Sequence, residues 1–169
     1  MPRGPNGWVA DACLVAAIRA SGRSVRDYLG PIDIVPTLVV IDELLYGLHP
    51  DHPIHRANLL VLAQMGPAIR SSPGVVFRAT DLQREYARHQ SAPQERDSLI
   101  AAAALEDGRG VITANVSDFH FFEQLWVLDS GRHDPVAAGP LISSRRPRMG
   151  AISPDACCAA IRSDRAKRR

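Results

Sequence analysis

The stretch "RDSLIAAAALEDGRGVITANVSDF", residues 96–119, decides the fold. It opens on a charged pair, Arg96-Asp97, and runs into alanines and aliphatic residues of high helix propensity. It then turns at Gly108 and continues as the β-branched run "GVITA". A helix, a short glycine turn and an apolar strand make up half of an α/β unit. The strand has no polar alternation, so both of its faces are covered. The helix is just as poor in polar residues beyond its first turn, which predicts that it is buried and that Asp97, at its start, faces other structure.

Reading outward from this stretch, the same alternation recurs. "WVAD" is a short apolar strand, and "ACLVAAIRASG" is a helix that ends at Gly22, where glycine takes the left-handed cap conformation at little cost. "IDIV" predicts a second strand. "PTLVVIDELLYGL" predicts a helix with Pro36 near its first turn, and "IHRANLLVLAQMGPAIR" a third helix broken near Gly66-Pro67. "GVVFRA" reads as the third strand, "TDLQREYARHQ" as a helix capped by Thr80 or Asp81, "GVITA" as the fourth strand, "VSDFHFFEQL" as a short helix and "WVL" as a last strand. Strands separated by helices predict an α/β fold of three layers, α/β/α, around a short, mainly parallel central sheet.

Composition is compatible with one such domain. The chain has 169 residues, 46% of them apolar, enough for a single core. Three cysteines, two of them adjacent at Cys157-Cys158, give neither a disulfide framework nor a zinc spacing, which suits a reducing, cytoplasmic setting. No apolar run is long enough to cross a membrane. The net charge of +2 is unevenly placed. Residues 145–169 hold eight basic residues against Asp155 and Asp164, a local balance of +6, whereas the rest has 12 basic and 16 acidic residues. A basic end on an acidic body suits a polyanionic partner, although a solvated terminus has the same composition. The domain is expected over residues 7–130, and residues 131–169 as a basic, Pro/Arg-rich extension with room for a short terminal helix.

Ligands of open parallel sheets bind outside the carboxyl ends of the strands, so carboxylates just after strands converge there. Asp11 follows "WVA", and Asp118 lies a few residues past "GVITA". Glu43 sits among Leu38, Ile41, Leu44, Leu45 and Leu48 of its helix, and Asp97 starts the buried alanine helix. Taken singly, each has a plainer reading. Asp11 and Asp118 suit helix caps, Asp97 suits the positive end of a helix dipole, and Glu43 suits an exposed helix face beside Asp42.

Taken together with the quoted stretch, the "VIDELLYGL" segment at residues 40–48 and "VADACLV" at residues 9–15, the pattern resembles the PIN-domain family, and within it the VapC-like toxin ribonucleases. The resemblance covers about residues 7–130 and implies a PIN-like fold. It also implies that Asp11, Glu43, Asp97 and Asp118 are the catalytic, metal-binding quartet for Mg²⁺ or Mn²⁺, with Asp11 and Asp97 as principal ligands. Thr113 and Asn115 would support the last carboxylate. The chain departs from the family at Ala12-Cys13, where many members carry a polar pair, which leaves the hydrogen bonding around Asp11 open. The implied activity is metal-dependent hydrolysis of RNA by a toxin of a type II toxin-antitoxin system. The implied partners are RNA, a cognate antitoxin and a second copy of the chain, with no membrane. The alternative is a PIN-fold module that binds nucleic acid and regulates without cutting.

Two further features invite a function. "HPDHPIH", residues 49–55, offers three histidines and Asp51 for a transition metal, but its prolines and its place in a connection favour a polar surface loop. "FHFF" beside Asp118 offers base stacking, with core packing the more economical reading.

Overall fold

The computed structural model describes residues 5–87, 94–122 and 124–132. In chain order the elements are β1 (Trp8–Ala10), α1 (Ala12–Ser21), α2 (Val25–Leu29), β2 (Ile34–Val35), α3 (Leu38–Leu45), α4 (Pro53–Leu62), α5 (Pro73–Tyr86), α6 (Glu95–Glu106), β3 (Gly110–Thr113) and β4 (Val127–Asp129). Turns of 3-10 helix lie at Val116–Asp118 and Ser130–Arg132. The strands form one sheet in the order β2-β1-β3-β4, and every pair is parallel. The chain leaves β1 toward β2 and returns across β1 to reach β3. Right-handed connections therefore place the helices of the two crossovers on opposite faces, which makes the three layers.

The middle of the sheet is the core. Val9, Val111 and Ile112 of the inner strands are fully buried, as are Leu14, Val15 and Ile18 of α1 and Ile100, Ala101, Ala102 and Ala104 of α6. Each of the valine, leucine and isoleucine side chains stabilises by about 1.5–3 kcal/mol relative to its exposed state. The alanines let α6 lie close against α5 and the sheet, and a larger residue there would overpack at about 1–3 kcal/mol. Gly110 is required at the start of β3, because a Cβ would stand 2.6 Å from the Trp8 ring and 2.8 Å from the carbonyl oxygen of Trp126. Gly22 ends α1 in the left-handed region, as its position in the sequence predicts.

The expected strand "GVVFRA" is instead the first part of α5. Ser72 caps this helix by accepting from the Val75 backbone N–H at 3.2 Å, Pro73 occupies its first turn, and Val75, Ala79, Leu82 and Tyr86 are buried at helical spacing. The Thr80 or Asp81 cap disappears with that strand, since both residues are inside α5. The helix expected with a break near Gly66-Pro67 ends earlier, at Leu62, and Ile69 bridges to Thr37 beside β2. Pro36 precedes α3, whose cap is Thr37. Among the described residues of "VSDFHFFEQL" the only helical segment is the 3-10 turn, and α2 lies where the sequence pattern predicts no element. The terminal helix proposed for the basic extension lies outside the described residues.

Candidate functional site

The sheet order places a topological switch between β1 and β3, where connections leave in opposite directions and a crevice opens at the carboxyl ends. Asp11 follows β1 directly and Thr113 is the last residue of β3, so both stand on this rim. The Asp11 backbone N–H donates to the Ile112 carbonyl at 3.1 Å, which extends the β1–β3 ladder to the site. The Asp11 side chain is buried. Its Oδ1 accepts from the Ala12 N–H at 2.7 Å, capping α1, and its Oδ2 accepts from the Thr113 hydroxyl at 2.8 Å. The cap reading of Asp11 therefore holds, and the same side chain stands on the rim at the carboxyl ends of the strands.

The other carboxylates arrive from separate elements. Glu43 is on α3, Asp97 is the third residue of α6, and Asp118 closes the 3-10 turn after β3. Asp11 and Asp97 each feel the charges of the carboxylates around them. Burial raises the Asp11 carboxyl to about 6 against the opposing hydrogen bonds of Thr113 and Ala12, with Glu43 and Asp118 adding repulsion. Burial also raises Asp97, to about 7, and here Asp118, Asp11 and Glu43 all contribute. Asp118 is raised by burial and held back by Ser117 and His120. The fold thus brings the quartet into one electrostatic unit.

Asn115 supports Asp118 as expected, its Nδ2 donating to Oδ2 at 2.7 Å. Thr113 instead turns its hydroxyl to Asp11, while accepting from the Asn115 N–H at 2.9 Å. The polar support missing at Ala12-Cys13 is therefore supplied from β3. Arg96, a residue that the carboxylate pattern alone does not point to, lies beside Asp97 in the quoted stretch and places Nη1 3.9 Å from Oε1 of Glu43. The signal was present: neighbouring helix residues diverge by about 100°, so an inward Asp97 sends Arg96 to the rim.

An all-carboxylate set has the chemistry of a Mg²⁺ or Mn²⁺ site, and the buried Asp11 and half-buried Asp97, both with raised pKa values, carry repulsion that a divalent cation relieves. Among the described residues, however, no group of three or more His, Cys, Asp or Glu side chains stands in an arrangement that could hold a metal ion directly. Mg²⁺ commonly keeps several waters and uses only one or two carboxylates, so the donor set still suits it. The histidine loop is not such a site either. His52 caps α4, and His49 lies 3.6 Å from Asp51 on the surface. Phe119 and Phe122 are buried, and Phe122 packs edge-on against Tyr86 at 5.5 Å, so core packing claims these two rings of "FHFF".

No family model and no curated protein matches the chain. Solved structures do. A chain of VapBC2 from Rickettsia felis, bound to a DNA fragment from the promoter, superposes with a TM-score of 0.61 at 16% identity over 72% of this chain and 97% of that one. A chain of DNA-bound VapBC from Salmonella typhimurium gives 0.59 at 16% identity over 73% and 98%. A chain of VapBC-5 from Mycobacterium tuberculosis, from the VapBC family of toxin-antitoxin systems, gives 0.51 at 18% identity over 74% and 99%. The protein has the fold of these VapBC chains, a PIN-like α/β fold. At such identities the likeness extends to the fold alone.

Proposed function

We propose that this protein is a metal-dependent endoribonuclease, the toxin of a VapC-like toxin-antitoxin pair. The observation that supports this most is the convergence of Asp11, Glu43, Asp97 and Asp118, from four separate elements, at the switch point of a VapBC-like fold. In this reading Asp11 and Asp97 hold Mg²⁺ or Mn²⁺, directly or through water, with Asp118 and Glu43 completing the set. When bound, the cation supplies charge stabilisation on the scissile phosphate and eases deprotonation of the attacking water. The protein's own residues prepare the site. Thr113 and the α1 N–H fix the orientation of Asp11, Asn115 fixes Asp118, and burial keeps the acids from spending their charge on bulk water.

The antitoxin is proposed from the VapBC complexes that share the fold, and its docking would cover the acidic rim. A homodimer is supported by exposed apolar side chains on the helices, among them Leu60 at 68% and Phe77 at 71% exposure. None of the described helices is long and apolar enough to cross a membrane. The cytoplasmic setting is proposed from the cysteine usage of the sequence.

The deciding experiment is incubation of purified protein with labelled RNA in Mg²⁺, Mn²⁺ or EDTA. Metal-dependent cleavage that EDTA stops is the expected result. Binding of nucleic acid without cleavage in any metal would overturn the nuclease reading in favour of a regulatory module.

A further inference from the structure

We propose that Arg96 is a phosphate-binding residue of this site, poised on Glu43 until a nucleic-acid phosphate takes its place. The inference rests on the nuclease reading and extends it to the group that receives the substrate.

The geometry points this way for three reasons. First, Arg96 and Asp97 are consecutive in the first turn of α6, so Arg96 is fixed next to a member of the quartet by a rigid helix and not by a loop. Second, its guanidinium reaches across to α3, but Nη1 and Oε1 of Glu43 are 3.9 Å apart, beyond hydrogen-bond distance. The pair is held by charge alone. Third, the Arg96 side chain is 43% exposed and that of Glu43 27%, so the guanidinium lies at the mouth of the cluster with open access. An ion pair so loose and wet contributes little to stability, so the guanidinium can leave it at little cost.

The same position suits phosphate recognition. A cluster of carboxylates repels RNA, and a cation at its rim is needed to admit a phosphate. Guanidinium presents a planar fork of N–H donors that matches two phosphate oxygens, and one bidentate contact also fixes orientation. Exchanging the long contact with Glu43 for a bidentate contact with phosphate moves the guanidinium charge onto the substrate.

The test uses the full-length protein with Arg96→Gln and Arg96→Lys. Anisotropy of a fluorescein-labelled single-stranded RNA is measured across a salt series, with Ca²⁺ as the hard cation in place of Mg²⁺. Melting with and without Mn²⁺ is measured beside it. Arg96→Gln should bind about tenfold more weakly or worse, because a charge-assisted contact is lost. Its plot of log affinity against log salt should be flatter by about 0.7, the share of one phosphate on a single strand. Arg96→Lys should recover the slope but only part of the affinity, since it keeps the charge without the fork. The Mn²⁺ shift in melting should persist in both variants. If Arg96→Gln binds with the wild-type affinity and slope, the assignment is overturned while the nuclease reading stands. Loss of the Mn²⁺ shift in Arg96→Gln would also overturn it, by showing that Arg96 acts through the carboxylates. Wild-type protein inert toward RNA would overturn both.

Discussion

The hydroxyl of Thr113 donates to Oδ2 of Asp11 across 2.8 Å, tying the carboxyl ends of β1 and β3 together at the site. Both residues are buried, and the bond opposes the rise that burial imposes on the Asp11 carboxyl. Thr113→Val keeps the shape and removes the donor. It should destabilise by about 1–3 kcal/mol, because a buried acceptor loses its partner. It should also push the Asp11 carboxyl further above its present value of about 6, so that cleavage falls at neutral pH and recovers in alkali. Melting curves and a pH–rate profile would check both effects, and an unmoved profile would show that Thr113 does not tune Asp11.

Asp97→Asn should separate stability from function. The Asp97 carboxyl is raised to about 7 by burial and by Asp118, Asp11 and Glu43, so at about pH 8 its ionised form strains the metal-free fold. The amide removes that charge with little change in volume. Metal-free Asp97→Asn should melt above wild type at this pH, yet lose RNA cleavage and most of the stabilisation by Mn²⁺. Asp11→Asn should also lose cleavage, but without the same gain, because it replaces an oxygen that Thr113 and the α1 N–H hold. Wild-type cleavage by either purified variant would remove the quartet from catalysis.

The pH dependence of stability has a definite sign. Asp11 and Asp97 have folded pKa values of about 6 and about 7, against 3.8 for the ordinary group. The native state therefore binds more protons than the unfolded chain over this interval, and stability falls as pH rises. Their contribution is complete below 3.8 and is lost as pH passes through about 6 and about 7. Divalent metal needs the ionised acids, so its effect runs the other way and grows across the same window. At about 100 times its dissociation constant a folded-state ligand adds roughly 2.7 kcal/mol. Melting with Mn²⁺ and with EDTA from acid to mild alkali would show two diverging curves; a gap independent of pH would place the cation away from these carboxylates.

Much of this site was legible because its residues announce themselves locally. Asp11 interrupts an apolar run, Asp97 opens an alanine helix, and Asp118 follows a strand. What the sequence concealed was orientation. Thr113 and Asp118 are near in sequence, yet the hydroxyl of Thr113 points back across the sheet to Asp11, a relation set by the pairing of β1 with β3. The false strand at "GVVFRA" had a similar cause. The adjacent valines Val75 and Val76 favour β structure locally, whereas the buried stripe of Val75, Ala79, Leu82 and Tyr86 becomes visible only once the helix is allowed to start at Ser72.

The basic extension should gather RNA for the acidic domain. Residues 145–169 carry a balance of +6 on a chain whose remaining residues hold 12 basic and 16 acidic side chains. Such a body repels RNA at long range, and the acidic rim repels it again at contact. A cationic segment offsets this by releasing counterions from the strand, about 0.7 for each phosphate neutralised on single-stranded RNA. Even three or four contacts would make binding steeply dependent on salt, and because the attraction is long-ranged it would act on encounter more than on chemistry. Removing residues 145–169 should therefore weaken RNA binding at low salt and flatten its salt dependence. The rate of the chemical step under saturating RNA should stay the same, since Asp11, Glu43, Asp97, Asp118 and Arg96 are all retained. Binding isotherms at several salt concentrations, paired with single-turnover cleavage, would separate the two effects. Superimposable salt slopes for the full and shortened chains would leave the extension with no part in gathering RNA, and a lost chemical step would mean that it reaches the site itself.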